Sequence, residues 1–332
     1  EVNPVVFTSS NREPLTGDWG GIRINNNGAS FDYATIEYSA YGIYANGLSS
    51  GQTLAISRSI IQHNGNYGVR NRGYGSNGTV HITDSQIINN NGTGIYSQYS
   101  YDDWTITGNT ISGNQGVGIY LQYEWDDVDV VVTDNVIEEN VDYQARFDYI
   151  SGDFTFSGNS VSGSSQQLRY ENYEQSDSSN STDSITITDN EFINSGSNDT
   201  VYINDSGAAD AVITGNSIAG GSNGLALYNT STNVQPTISN NTITGTSSYA
   251  LYISGKLVPT VTGNRLDGNA YGMYFNYSDA NGNGSFEVSN NEIINSSNDG
   301  ISINNYAKPT LSNNDIYGNG GYAIRNNTSY AI

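Results

Sequence analysis

The sequence predicts an all-β chain wound as a parallel solenoid, and two observations carry that prediction. A six-residue signature, apolar-Ser/Thr-x-Asn-x-apolar, recurs down most of the 332 residues. Each copy is followed by a second short apolar run of the Gly-Ile-Tyr kind. Self-similarity at a period of 20–50 residues is the mark of stacked repeats, each too small to bury its own apolar face.

The signature runs Ile106 to Ile111, Val132 to Ile137, Phe156 to Val161, Ile187 to Phe192, Ile213 to Ile218, Ile238 to Ile243, Val261 to Leu266, Val288 to Ile293 and Leu311 to Ile316. Its Asn positions are Asn109, Asn135, Asn159, Asn190, Asn216, Asn241, Asn264, Asn291 and Asn314, spaced 23 to 31 residues apart. Earlier copies carry Ser in place of Asn, at Ser59 and Ser85, and a weaker one reaches back to Ile36. Runs such as Asp103-Trp104-Thr105-Ile106-Thr107 alternate apolar and polar residues and are rich in Val, Ile, Thr and Tyr, so they read as strands. Pro236, Pro259 and Pro309 each stand two residues before a signature, where a strand begins and tolerates proline. The second runs, including Gly42-Ile43-Tyr44, Gly94-Ile95-Tyr96 and Leu251-Tyr252-Ile253, would point their flanking apolar residues inward and the middle one outward.

Stacked turns bring each signature Asn above the next. Asn tolerates left-handed backbone, and its amide both donates and accepts, so the nine Asn are expected to form an internal ladder at a corner closed to water. About twelve coils fit the chain, read as one domain over 1–332 with irregular first coils over 1–33 and a longer loop insertion at 171–184.

The T-I-x-x-N-x-I plus G-I-Y spacing over about residues 34–332 resembles the right-handed parallel β-helix proteins of the pectate-lyase-like superfamily. The opening Pro4-Val5-Val6-Phe7-Thr8-Ser9, with Gly17-Asp18-Trp19-Gly20-Gly21-Ile22, resembles the first coils of secreted surface members. The resemblance implies a right-handed helix with little or no α-helix and leaves function open.

Asp and Glu number 33 against 11 Lys and Arg, a formal net charge of −22, which disfavours nucleic acid and anionic membrane as partners. There is no Cys, and no run approaches the ~18 apolar residues of a membrane-spanning helix. The polar, Lys-poor composition fits an extracellular or cell-surface protein.

Four groups of residues are candidates for function. The outward positions Tyr44, Tyr96, Tyr120, Tyr202, Tyr252 and Tyr274, interleaved with Arg70, Arg146, Arg169 and Arg325, make a stripe suited to stacking on sugar rings or on a neighbouring subunit. Asp102-Asp103 and Asp126-Asp127 fall at like places in consecutive coils and, with the EF-hand-like Asp279, Asn281 and Asn283, are candidate Ca²⁺ ligands. Repeat-like sequence runs close to both ends, so the ends are expected to be uncapped and Val5, Phe7, Ile324 and Ile332 to offer end contacts. A lyase needs a base beside a uronate carboxylate, and Arg146 and Arg169 are the residues that would serve. Of the polygalacturonase-like motif set, Asn-Thr-Asp, Asp-Asp, His-Gly and Arg-Ile-Lys, only isolated Asp-Asp occurs, and the epimerase-type Asp-Pro-His is missing. The expectation is a non-enzymatic extracellular structural protein whose copies assemble through ends and side faces into a fibre, sheath or surface layer. No cofactor is required by this reading, Ca²⁺ being the one candidate, and cell-surface polysaccharide is a further candidate partner. The alternatives are a polysaccharide-binding or polysaccharide-cleaving module and an adhesin or tail-fibre shaft.

Overall fold

The computed structural model describes residues 4–73, 77–125, 127–172, 184–205, 210–229, 234–281 and 283–331. Asp126, Ile332 and most of the 171–184 insertion lie outside the described residues. The described chain is strands and turns with no helix, and it divides into two compact units, 4–165 and 166–172 with 184–331. Each unit is a three-sheet parallel β-solenoid of about six turns.

Every strand pairs in parallel with its counterpart one turn on. In the first unit the first sheet includes Gln86–Ile88 and Thr110–Ser112, the second Tyr67–Arg72 and Thr93–Ser100, the third Thr79–Thr83 and Asp103–Thr107. Inward residues form columns that are sealed from water: Ile61, Ile87, Ile111 and Ile137 on the first sheet, Val69, Ile95 and Ile119 on the second, Ile56, Ile82, Ile106 and Val132 on the third. The second unit repeats this with Ile218, Ile243 and Leu266, then Leu225, Leu251 and Met273, then Ile213, Ile238 and Val261. Burial of an aliphatic side chain contributes roughly 1.5–3 kcal/mol, so these columns are the main favourable contribution to the stack.

The corner between the third and first sheets is the most constrained part of the chain. In every turn but the first, two residues connect Thr or Ser at the end of one strand to the next strand, whereas connections from second to third sheet run from two residues to twelve. The first corner residue takes the left-handed conformation, as at Arg58, Asp84, Gly108, Asp134, Asp189, Gly215, Asn240 and Asn290. The second is the signature Ser or Asn. The expectation that Asn itself would be left-handed is therefore displaced by one position. The Asn side chain has to point into the interior, so the residue before it absorbs the reversal of direction. At Gly215 the corner also lacks room, since a Cβ would stand 2.2 Å from Asp189 Oδ1.

Each Asn is held from three sides. Asn109 Nδ2 lies 2.8 Å from Ile82 O, 3.0 Å from Thr107 O and 3.0 Å from Asn135 Oδ1, while its own Oδ1 accepts the Ser85 backbone N–H at 2.9 Å. The same donation continues from Asn135 to Asn159 at 3.0 Å. In the second unit it runs Asn190, Asn216, Asn241, Asn264, Asn291, Asn314 at 2.9–3.0 Å. Within each unit every one of these amides donates toward the later turn.

A second amide column, absent from the sequence reading, fills the corner between the first and second sheets. Asn64 donates to Asn90 at 3.0 Å, Asn90 to Asn114 at 2.9 Å and Asn114 to Asn140 at 2.9 Å. Its signal was present: each of these Asn stands five residues after the signature position. The column explains the Gly of Gly-Ile-Tyr, because a Cβ on Gly118 would meet Asn140 Nδ2 at 2.7 Å. One turn on, Gln144 takes that Gly position and ends the column, its Oε1 accepting from Asn140 at 2.9 Å and its Nε2 donating to Ser165 at 2.7 Å.

Substituting Asn109 by Ala strands a buried N–H and several carbonyls together, and leaving buried polar groups unpaired costs about 3 kcal/mol here. Chemical denaturation should show that loss, against a change of less than about 0.5 kcal/mol for the exposed Gln115→Ala.

Candidate functional site

Parallel strands in register bring every outward side chain of one turn over its equivalent in the next, ~4.8 Å away, close enough for rings to stack. On the second sheet of the first unit the register aligns Arg23, Tyr44, Arg70, Tyr96, Tyr120 and Arg146. Beside this column stand Tyr41 and Tyr67, with Tyr67 stacked on Tyr96 at 4.8 Å between centroids and 20° between planes. The Arg70 guanidinium carbon lies 5.0 Å from the Tyr44 ring, 5.1 Å from Tyr67 and 5.7 Å from Tyr96. Arg146 sits 5.0 Å from the Tyr120 ring, and Asp148 binds it at 2.8 Å. Tyr120 Oη is 2.8 Å from Asp148 Oδ2; burial, and then the Asp148 charge, raise its pKa, so it stays a neutral phenol.

In the second unit the same column holds Arg169, Tyr202, Ala226, Tyr252, Tyr274, Ser302 and Arg325. Where Ala226 leaves a gap, Tyr228 from two residues on fills it, 5.1 Å from Tyr202 and 5.3 Å from Tyr252. Tyr252 and Tyr274 stack at 4.8 Å with 2° between planes. Tyr249 lies 4.8 Å from Tyr271 and 4.9 Å from Tyr274. These rings form one side of a cleft of about 320 Å³ completed by Asn298, Asp299, Ser302, Asn304, Arg325 and Asn327. Asp299 pairs with Arg325, which, with the Tyr322 N–H, holds its carboxyl below the usual range. The cleft is thus aromatic and polar, and its two charged side chains cancel.

Sequence reasoning found the column but missed Tyr41, Tyr67, Tyr228, Tyr249 and Tyr271. The signal for four of these was a recurring Tyr-x-apolar-Tyr/Arg run: Tyr41 to Tyr44, Tyr67 to Arg70, Tyr249 to Tyr252 and Tyr271 to Tyr274. Two residues at the start of such a strand and three apart both reach the outer face.

The carboxylate candidates are placed differently from their expected columns. Asp103 stands above Asp129, whose N–H it accepts at 3.0 Å, and Asp129 in turn accepts from Asp153 at 2.9 Å, so Asp127 is not in that column. The connection between the sheets is longer in the later turn, which shifts Asp127 out of step. Asp102 is turned inward and accepts from Asn71 at 2.8 Å, Ser100 at 2.9 Å and the Gly78 N–H at 2.7 Å. Asp279 accepts the Asn281 N–H at 2.9 Å and faces Lys256 Nζ at 4.0 Å, while Asn283 is exposed. Among the described residues no cluster of three or more metal-ligating acidic or His side chains is present. Val5, Phe7 and Ile324 are exposed in the strands Val5–Phe7 and Ile324–Asn326. Arg146 and Arg169 are each ion-paired to the carboxylate two residues on, Asp148 and Glu171, so neither is placed as a free base.

Beside Asp102 the interior holds a second carboxyl with no cation. Glu124 is fully buried, and burial, reinforced by the Asp102 charge, pushes its pKa up to about 8. Ser97 Oγ and Trp104 Nε1 face it without reaching hydrogen-bond geometry.

The family model described as "Right handed beta helix region" matches residues 20–182 and 177–332. The chain belongs to the right-handed β-helix family. No curated protein matches the chain in sequence. Among solved β-helices, the periplasmic alginate epimerase AlgG, crystallised as a double mutant, is 11% identical with a TM-score of 0.49, covering 96% of this chain and 77% of that one. The A-module of the Azotobacter vinelandii mannuronan C-5 epimerase AlgE4 is 14% identical at a TM-score of 0.28, over 98% and 88%. PfbA, a surface adhesin of Streptococcus pneumoniae, is 8% identical at 0.26, over 94% and 84%. These likenesses are too distant to bear on what this β-helix binds.

Glu124 makes the β-helix sensitive to alkali. Its folded pKa lies above the unfolded value near 4.5, so its contribution is fully favourable below pH 4.5 and is lost as pH rises through about 8. Glu124→Gln should therefore melt above the parent chain at pH 9, with the difference shrinking toward pH 5. Thermal melts at the two pH values test it, and equal melting differences at both would count against a neutral Glu124.

Proposed function

We propose that this β-helix is an extracellular polysaccharide-binding protein whose ligand lies along the outer face of the second sheet. The observation that carries this is the Tyr249, Tyr271 and Tyr274 cleft. A pyranose ring offers axial C–H groups to an aromatic face and hydroxyls to planar amides and carboxylates. The cleft supplies both, through its tyrosines and through Asn298, Asp299, Asn304 and Asn327. Tyr249 and Tyr274 have pKa values raised by burial, so their hydroxyls remain donors across the physiological range.

Binding is favoured over cleavage because the cleft's one carboxylate, Asp299, is already engaged by Arg325 and by a backbone N–H. A general base has to be free to accept a proton. The paired Asp299 and Arg325 leave the cleft without net charge, which favours a polymer that presents neutral groups there.

Truncating one stacked aromatic removes roughly 1.4 kcal/mol, a factor of ten in affinity. Tyr271→Ala and Tyr274→Ala should each weaken binding of the preferred polysaccharide about tenfold on a glycan panel followed by calorimetry, with melting temperature nearly unchanged. Absence of binding across the panel, with the chain sedimenting as a polymer, would instead assign the aromatic face to copies of the chain itself.

A further inference from the structure

We propose that the first unit carries a separate oxyanion-binding site centred on Arg70, which takes the carboxylate or sulfate groups of an anionic polysaccharide. The site stands on its own geometry, and the choice of a polysaccharide rests on the function proposed above.

Cations are scarce here, and most find a carboxylate. Arg58 pairs with Asp32, Arg146 with Asp148, Arg169 with Glu171, Arg265 with Asp267 and Glu292, and Arg325 with Asp299. In three of these the carboxylate stands two residues after the Arg, on the same outward face of the same strand. At Arg70 that position is occupied by Arg72, so the neutralising device is reversed. Arg70 takes part in none of the ion pairs among the described residues, and its Nε is sealed from solvent with no acceptor.

The side chain is nonetheless fixed. Three rings, Tyr44, Tyr67 and Tyr96, lie within 5.0–5.7 Å of its guanidinium carbon, and Arg23 lies 5.6 Å from the Tyr44 ring. Aromatic faces attract the charge but supply little to its five N–H donors. Arg72 lies two residues on, on the outward face of the same strand, and like charges at that spacing repel each other. An oxyanion bound at Arg70 eases that repulsion and accepts its unused N–H groups, ideally with the bidentate geometry that Arg gives to carboxylate and sulfate. The neighbouring tyrosines then offer the surface on which the rest of an anionic sugar lies. An acidic peptide could satisfy Arg70, but it would gain less from flat rings spaced along one column.

The test uses the full chain at low ionic strength, titrated calorimetrically with dextran sulfate, polygalacturonate, uncharged dextran and poly-L-glutamate, and separately with inorganic sulfate. Expected is binding of at least one anionic polysaccharide that weakens as salt rises. Arg70→Met should lower that affinity at least tenfold and Arg72→Gln several-fold, with circular dichroism unchanged. Arg70→Lys, which keeps the charge but not the fork, should fall between the parent and Arg70→Met. No polyanion binding, or binding equal in the parent and Arg70→Met, overturns the site while leaving the Tyr271 and Tyr274 cleft to be judged separately. Arg70-dependent binding of sulfate or poly-L-glutamate without any polysaccharide binding overturns the polysaccharide assignment instead.

Discussion

The two-residue corner between the third and first sheets is the constraint on which the remaining structure depends. One residue reverses the chain in the left-handed conformation, and the next turns an amide inward to bond above and below. Because the amide meets backbone carbonyls and the next amide together, it fixes both the spacing and the rotational register of successive turns. Once that register is set, inward aliphatics must fall on inward aliphatics and outward rings on outward rings. The apolar columns supply most of the energy, but they are tolerant of sliding. The amides are not, since a displaced amide leaves buried donors and acceptors without partners.

The aromatic face follows from the same registration. A lone tyrosine on a strand is unremarkable, yet repetition at one position per turn makes a continuous surface without any loop to build it. The two units use that surface differently. Around Tyr249, Tyr271 and Tyr274 charges are matched and the surface becomes a neutral cleft. Around Arg70 and Arg72 like charges sit together in a chain that otherwise carries three acidic residues for each basic one. The contrast suits two ligand chemistries on a single kind of scaffold.

Much of this was legible in the sequence, because period is a property of the sequence itself. The signature Asn, the strand alternation and the outward column from Tyr44 to Arg146 could all be aligned by counting. What escaped was whatever depended on connection length or side-chain reach. Asp103 aligns with Asp129 rather than Asp127 because the preceding connection is longer in that turn. Tyr228 enters the ring column only because Ala226 vacates it. The second amide column was countable, five residues after the first, but polar Asn-Gly runs read equally well as ordinary turns until Gln144 shows a side chain replacing a glycine to complete a bonded chain.

The fixed corner also limits how such a gene can change length. A single inserted codon at the Asp84-Ser85 or Gly108-Asn109 step would put every later amide out of phase, so drift there is closed to small insertions. Between the second and third sheets the connection already varies from two residues to twelve, and extra residues have no amide to displace. Lineages of this protein should therefore differ by whole turns of about 25 residues, gained or lost by unequal recombination, or by loop additions away from the two-residue corner.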